Sequence, residues 1–173
     1  MAKLIADGVP LDEAKLGDFL EKATMEQAVS GMDLAFFEAR QAAEAGEVPV
    51  GAVLMHEGQV IASAGNRVLR DGDPTAHAEM LVIRSAAGVL KRERLTGCDL
   101  YVTLEPCAMC AGALSLARIR RLYYAAEDLK GGAVEHGPRF FAQPTCHHAP
   151  DVYGGIRASE SARLLRDFFK GLR

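Results

Sequence analysis

The sequence predicts an α/β fold, a mixed sheet covered by helices on both faces. Three observations predict it. Segments with apolar residues at helical spacing alternate with short β-rich runs. Their order is helix, hairpin, helix, strand, helix, strand, loop, helix, which suits a layered sheet. Two of the helices open on a Pro that follows a strand or a loop, the place where such sheets bind ligands.

Residues 1–24 lack a strong period and read as a loosely attached, flexible N-terminal extension, and residues 25–173 read as one domain. From Met25 to Glu44, Val29, Met32, Ala35, Phe36 and Ala39 recur at helical spacing. "EVPVGAVLMHEGQVIASAGN" reads as a hairpin turning at Glu57-Gly58. "DGDPTAHAEMLVIRSAAGVLKR" reads as a helix capped by Asp73, with Pro74 at the first position, where its missing N–H does no harm. "CDLYVTLE" and "RRLYYAAED" read as strands, and "PCAMCAGALSLARI" between them as a helix opened by Pro106. "LKGGAVEHGPRFFAQPTCHHAPDVYGG" is rich in Gly, Pro and His, and long segments of this kind are usually functional or disordered. "SESARLLRDFFKGL" reads as a helix with Leu164, Leu165, Phe168 and Leu172 on one side. Phe168 and Phe169 are adjacent, so one is expected to be buried and the other exposed.

Composition narrows the class. The 173 residues are 49% hydrophobic and 25% charged, which is globular rather than disordered. The net charge of −3 supplies no global basic field, so any nucleic-acid contact must come from a local patch. The first thirty residues are too acidic and too weakly apolar for a secretory leader, and no stretch is apolar enough for a membrane helix. The expectation is a cytoplasmic protein with reduced thiols, whose 4 Cys serve metal binding or burial rather than disulfides.

"PTAHAEM" and "EPCAMC" carry the chemistry. Cys107 and Cys110 lie three apart at a helix start, so their sulfurs share one face of the first turn. The partial positive charge of that terminus favours the thiolates that zinc prefers. His77 opens the other helix, and facing N-termini make a His-Cys-Cys set with one position open. A purely structural zinc wants four ligands, whereas an open position holds water whose pKa falls to about 7. Glu79, two residues after His77, points elsewhere than a co-ligand and is placed to take a proton from that water. These parts build a hydrolytic deamination. Of the spare thiols, Cys98 reads as core, and Cys146 with His147 and His148 reads as a chance grouping rather than a second metal site.

"EVPVGAVL", "GNR", "DPTAHAEM", "LYVTLEPCAMCAGAL", "RI" and "LLRDFF" resemble, in order and spacing, the cytidine deaminase superfamily, and within it the bacterial tRNA adenosine-34 deaminase branch. The resemblance covers residue 26 to the end and makes residues 25–173 a zinc-dependent deaminase domain. It implies a three-layer α/β/α fold with about five strands. It implies one Zn²⁺ per subunit on His77, Cys107 and Cys110, with Glu79 as proton shuttle. Asn66 would hydrogen-bond the nucleoside, Val48 and Pro106 would line the base pocket, and Ala78 would offer its backbone to the base. Asp128 and Lys130 match a loop that touches anticodon nucleotides, and His148 matches the second residue of an Asn-His pair. Phe169 and Arg166 lie on a C-terminal helix that such enzymes lay along RNA. The implied partners are a second copy of the chain, as a homodimer, and the anticodon loop of a tRNA, foremost an arginine tRNA with anticodon ACG.

Several of these residues have plainer readings. Val48 suits strand core, and Asn66 suits a turn. Arg157, Arg163, Arg166, Lys170 and Arg173 suit a solvated helix face diluted by Glu160 and Asp167. Two other functions compete with tRNA editing. One is deamination of a free base or nucleoside such as guanine or cytosine; the other is a non-enzymatic zinc-stabilised scaffold, which has no use for Glu79.

Overall fold

Ser30 sets the start of the first described helix in the computed structural model, which describes residues 30–172. Its hydroxyl accepts the Asp33 N–H, and the Asp33 carboxylate accepts the Ser30 N–H in return. Helix α1 therefore spans Gly31–Glu44, and the part of the apolar period from Met25 to Val29 lies outside the described residues. The extension of residues 1–24 lies outside them as well.

Strands β1 (Gly51–His56) and β2 (Gln59–Gly65) form the expected hairpin. Glu57 and Gly58 at its turn both have positive φ, the conformation that twists with the flanking strands. A short helix α2 (Val68–Asp71) follows, which the sequence does not signal. Then come α3 (Ala78–Leu90), β3 (Cys98–Leu104), α4 (Ala108–Leu116), β4 (Arg121–Ala126), a 3₁₀ turn at Phe140–Ala142, β5 (Asp151–Tyr153) and α5 (Ala158–Gly171).

Two helix starts differ from expectation in the same way. Asp73 does not cap α3; its carboxylate accepts both the N–H and the hydroxyl of Thr75, closing a local turn around Pro74. His77, extended at φ −70° and ψ 149°, is the residue flanking the helix. Likewise Pro106 lies outside α4, and Cys107 flanks it at φ −72° and ψ 174°. Strand β5 falls where the sequence predicts loop, since three residues with only Val152 partly buried carry no period.

The five strands run in the order β2-β1-β3-β4-β5. β1 is antiparallel to both neighbours, while β3, β4 and β5 are parallel. The sheet is mixed, with helices on both faces, as predicted. Alternate residues sort the two cores. Val53, Tyr101 and Tyr123 pack with Met32 and Phe36 of α1. Leu54, Leu100, Val102 and Leu122 pack with Val82 and Ala86 of α3 and Leu114 of α4, and Cys98 lies in this core. Arg157 ties α5 to α1, bonding Asp33 and Glu160 and lying over the Phe36 ring. Of the paired rings on α5, Phe168 is half-buried and Phe169 exposed.

The approach of α1 to the sheet depends on a missing side chain. A Cβ on Gly51 would stand 2.1 Å from the Ala35 carbonyl oxygen and 2.5 Å from the Ala39 nitrogen. Backbone cannot swing aside, so Gly51→Ala is expected to destabilise the fold by about 1–3 kcal/mol or more. A denaturant melt with an unshifted midpoint would contradict this close packing.

Candidate metal centre and active site

The two displaced helix starts bring three ligand atoms together. The Nδ1 of His77 lies 3.7 Å from the Cys107 sulfur and 3.6 Å from the Cys110 sulfur. All three ligand atoms fall within 4.8 Å of one another. A tetrahedron with Zn–S of about 2.3 Å and Zn–N of about 2.0–2.1 Å has edges of roughly 3.5–3.8 Å, so the observed separations fit zinc. Among the described residues, His77, Cys107 and Cys110 are the one group of three that could hold a metal. One nitrogen and two sulfurs leave a fourth tetrahedral position for a small molecule.

Electrostatics prepares the same set. The Cys107 thiol is lowered to about 4, chiefly because Cys110 donates to its sulfur, with His77 helping and burial opposing. For Cys110, that same bond, burial and the nearby Glu79 carboxylate all push the thiol upward. His77 is raised by its bond to Cys107 against burial, with the charge of Glu79 assisting. A bound cation replaces the shared proton and relieves the crowding of negative charge.

Glu79 sits on the first turn of α3, buried, and outside the three-ligand set. Burial raises its carboxyl above the ordinary range, against its own backbone N–H and the charge of His77. Asn66 is also buried, and its Oδ1 accepts the Ala78 N–H at 3.0 Å. That bond fastens the end of the hairpin to the start of α3. It also occupies the Ala78 N–H, so the backbone of Ala78 reaches a ligand only through its other groups.

Pro106 is buried, and its carbonyl accepts the Ala133 N–H at 2.9 Å. Val48 is partly buried and packs on the core that includes Ala78 and Val134. The Asp128 carboxylate accepts the N–H groups of Lys130 and Gly131, holding its own loop, while Lys130 is exposed. This loop meets the metal site, because Gly132 pairs with Cys107 in an isolated bridge.

Two predicted contacts are not gathered there. The Nε2 of His148 bonds the Ile119 carbonyl at 2.6 Å, beyond the C-terminal end of the helix whose start carries the cysteines. Phe169 stands exposed on α5, set edge-on to Phe168. The sulfur of Cys146 donates to the His148 carbonyl, so this grouping is held by backbone rather than shaped as a second metal site.

Two supports escaped sequence reasoning. Glu47, 1% exposed, accepts the N–H groups of Leu69 and Arg70 and so caps α2 beside Asn66. Glu105, 2% exposed, gathers the loop that carries Asp128. Their one signal is a Glu inside an otherwise apolar stretch, and their partners are far away in sequence.

Residues 25–126 match the cytidine and deoxycytidylate deaminase zinc-binding region. A tRNA-specific adenosine deaminase of Agrobacterium fabrum is 62% identical over 149 residues, covering 86% of this chain and 98% of its own. The chain belongs to this family of zinc-dependent deaminases. A solved structure from studies of A-to-I editing by tRNA:A34 deaminases at the wobble position of transfer RNA superposes with TM-score 0.77 at 65% identity, covering 78% of this chain and 98% of that one. A guanine deaminase of Bacillus subtilis superposes with TM-score 0.57 at 34% identity, covering 74% and 85%.

Proposed function

We infer that this chain is a zinc-dependent hydrolase that deaminates adenosine to inosine at position 34, the wobble position of a tRNA anticodon. One observation carries the reaction type: a three-ligand set with Glu79 buried beside it and outside it. The similarity to tRNA adenosine deaminases over most of both chains carries the substrate.

Zinc on His77, Cys107 and Cys110 supplies a nucleophile at neutral pH by lowering the pKa of water. The remaining work falls to this chain's residues. Glu79 takes a proton from water as oxygen adds to C6 of adenine, and delivers one to the departing amine, so that ammonia leaves. With its oxygen spent on Ala78, Asn66 has its amide N–H groups left for the nucleoside. Val48 and Pro106 supply apolar wall, and Ala78 lines the floor between His77 and Glu79. Asp128 and Lys130 meet the anticodon nucleotides, with Phe169 and His148 as contacts further out along the RNA.

The working unit in this reading is a homodimer with one zinc per subunit, acting in the cytoplasm on an arginine tRNA with anticodon ACG. No helix among the described residues is long and apolar enough to cross a membrane. Residues 25–173 form the deaminase domain in this account.

A substrate panel tests the proposal. Ammonia release is measured from the anticodon stem-loop with A34, from the same stem-loop with G34, and from free adenosine, guanine and cytosine. Release from the A34 stem-loop alone is expected. Release from guanine or cytosine without release from the stem-loop would overturn the RNA half and favour a free-base enzyme.

A further inference from the structure

We propose that Glu105 is a positioning residue that fixes the segment Asp128–His136 against the zinc-ligand helix and so sets one wall of the site. The substrate in its test rests on the tRNA reading above; the structural claim does not.

The Glu105 side chain is 0% exposed. Its Oε1 accepts the N–H groups of Val134 at 3.0 Å, Glu135 at 2.8 Å and His136 at 3.0 Å. Its Oε2 accepts the Asp128 N–H at 3.1 Å and bonds the His136 Nδ1 at 2.7 Å. A buried carboxylate is costly unless its oxygens are satisfied. Here all five hydrogen bonds come from one segment, 23 to 31 residues further along the chain. Loop amides that would otherwise face water are spent on a single anion.

The neighbouring residues give that anchor its consequence. Glu105 is followed by Pro106 and by the ligand Cys107. The segment folds round all three: Ala133 N–H donates to Pro106, and Gly132 pairs with Cys107. Gly132 comes so near that a Cβ there would stand 2.6 Å from the Glu105 carboxyl carbon. Asp128 in turn accepts from the N–H groups of Lys130 and Gly131, and Leu129 and Lys130 on this turn are exposed. His136 closes the group, its Nε2 facing the exposed Glu127 at 3.9 Å. One carboxylate thus couples the placement of a zinc ligand to the placement of the loop expected to meet RNA.

Two variants test this in the zinc-loaded protein. Glu105→Gln replaces an acceptor oxygen by an NH₂ that cannot accept the Asp128 N–H. His136→Leu removes the imidazole bond and leaves the four amide bonds. In Glu105→Gln, the amides of Asp128, Val134, Glu135 and His136 are expected to exchange about tenfold faster or more, the size of one lost hydrogen bond to a charge. Exchange in α4 and zinc content stay unchanged, and KM for the tRNA rises while kcat holds. His136→Leu gives a smaller change in the same segment. Unchanged exchange in 128–136, exchange accelerated across the whole fold, or loss of zinc with the segment undisturbed would each overturn the proposal. If the Gln variant fails to fold, His136→Leu decides alone, and unchanged exchange there is fatal. Exchange is read without tRNA, so a wild-type protein inactive on tRNA sinks the functional reading and leaves this one to its own measurement.

Discussion

Glu79→Ala is expected to lower the rate of deamination by about 10²–10⁴-fold, the usual contribution of a positioned acid–base group, while zinc stays bound. The two halves of this result follow from one placement. Glu79 lies outside the three-ligand set, so its loss removes no metal–ligand bond. It is 4% exposed, within reach of the His77 charge and the Cys110 thiol, so bulk water cannot readily take over its proton transfers. Glu79→Gln keeps the shape and removes the proton-carrying oxygen, and it should fail to the same extent. Metal analysis and inosine formation are measured on the same sample. Zinc lost with Glu79→Ala would make Glu79 a ligand, and full activity with zinc retained would remove it from the mechanism.

Removing a ligand should act on stability and activity together. Cys107→Ala is expected to weaken zinc binding by more than about 100-fold, since losing merely an outer partner costs about 10–100-fold. His77 and Cys107 each flank a helix and Cys110 sits in the first turn of α4, so the cation ties α3 to α4. A metal that binds the folded state alone adds about 2.7 kcal/mol at a hundred times its Kd. For a chain of this size that is a loss of roughly 5–10 °C in Tm on chelation. Cys107→Ala should melt as the chelated wild type does, and chelator should not shift it further. A variant that still responds to chelator would show that zinc is held elsewhere.

The ligand residues and Glu79 were legible in the sequence because each motif is short and local. Two Cys three apart share a helix face wherever that helix lies, and His77 with Glu79 marks another start. What the residues could not tell was how the starts are built. Asp-Pro is a strong opening signal, yet Asp73 spends its carboxylate on Thr75, and the helix waits four residues. The delay leaves His77 extended at the helix end, as Cys107 is at the other. Both helices begin later than their prolines suggest for the same reason, since Pro marks a turn as readily as a first helical residue.

The sheet was legible where strands bury one or both faces, as in β1 and β3. β5 escaped because an edge strand of three residues has little to bury. Long-range hydrogen bonding left the least trace. Glu105 reads as part of an apolar strand end, and nothing local foretells that its partners lie in a loop beyond β4. His148 likewise matches a familiar position by spacing, while the structure ties it to the Ile119 carbonyl.

The most direct test of the central claim is the identity of one base. An arginine tRNA with anticodon ACG is incubated with the zinc-loaded protein, and position 34 is read by sequencing, where inosine reads as G. The account predicts conversion of A34 alone, slowed by about 10²–10⁴-fold with Glu79→Ala. An unaltered A34, from a protein that holds zinc and releases ammonia from guanine or cytosine, would contradict it.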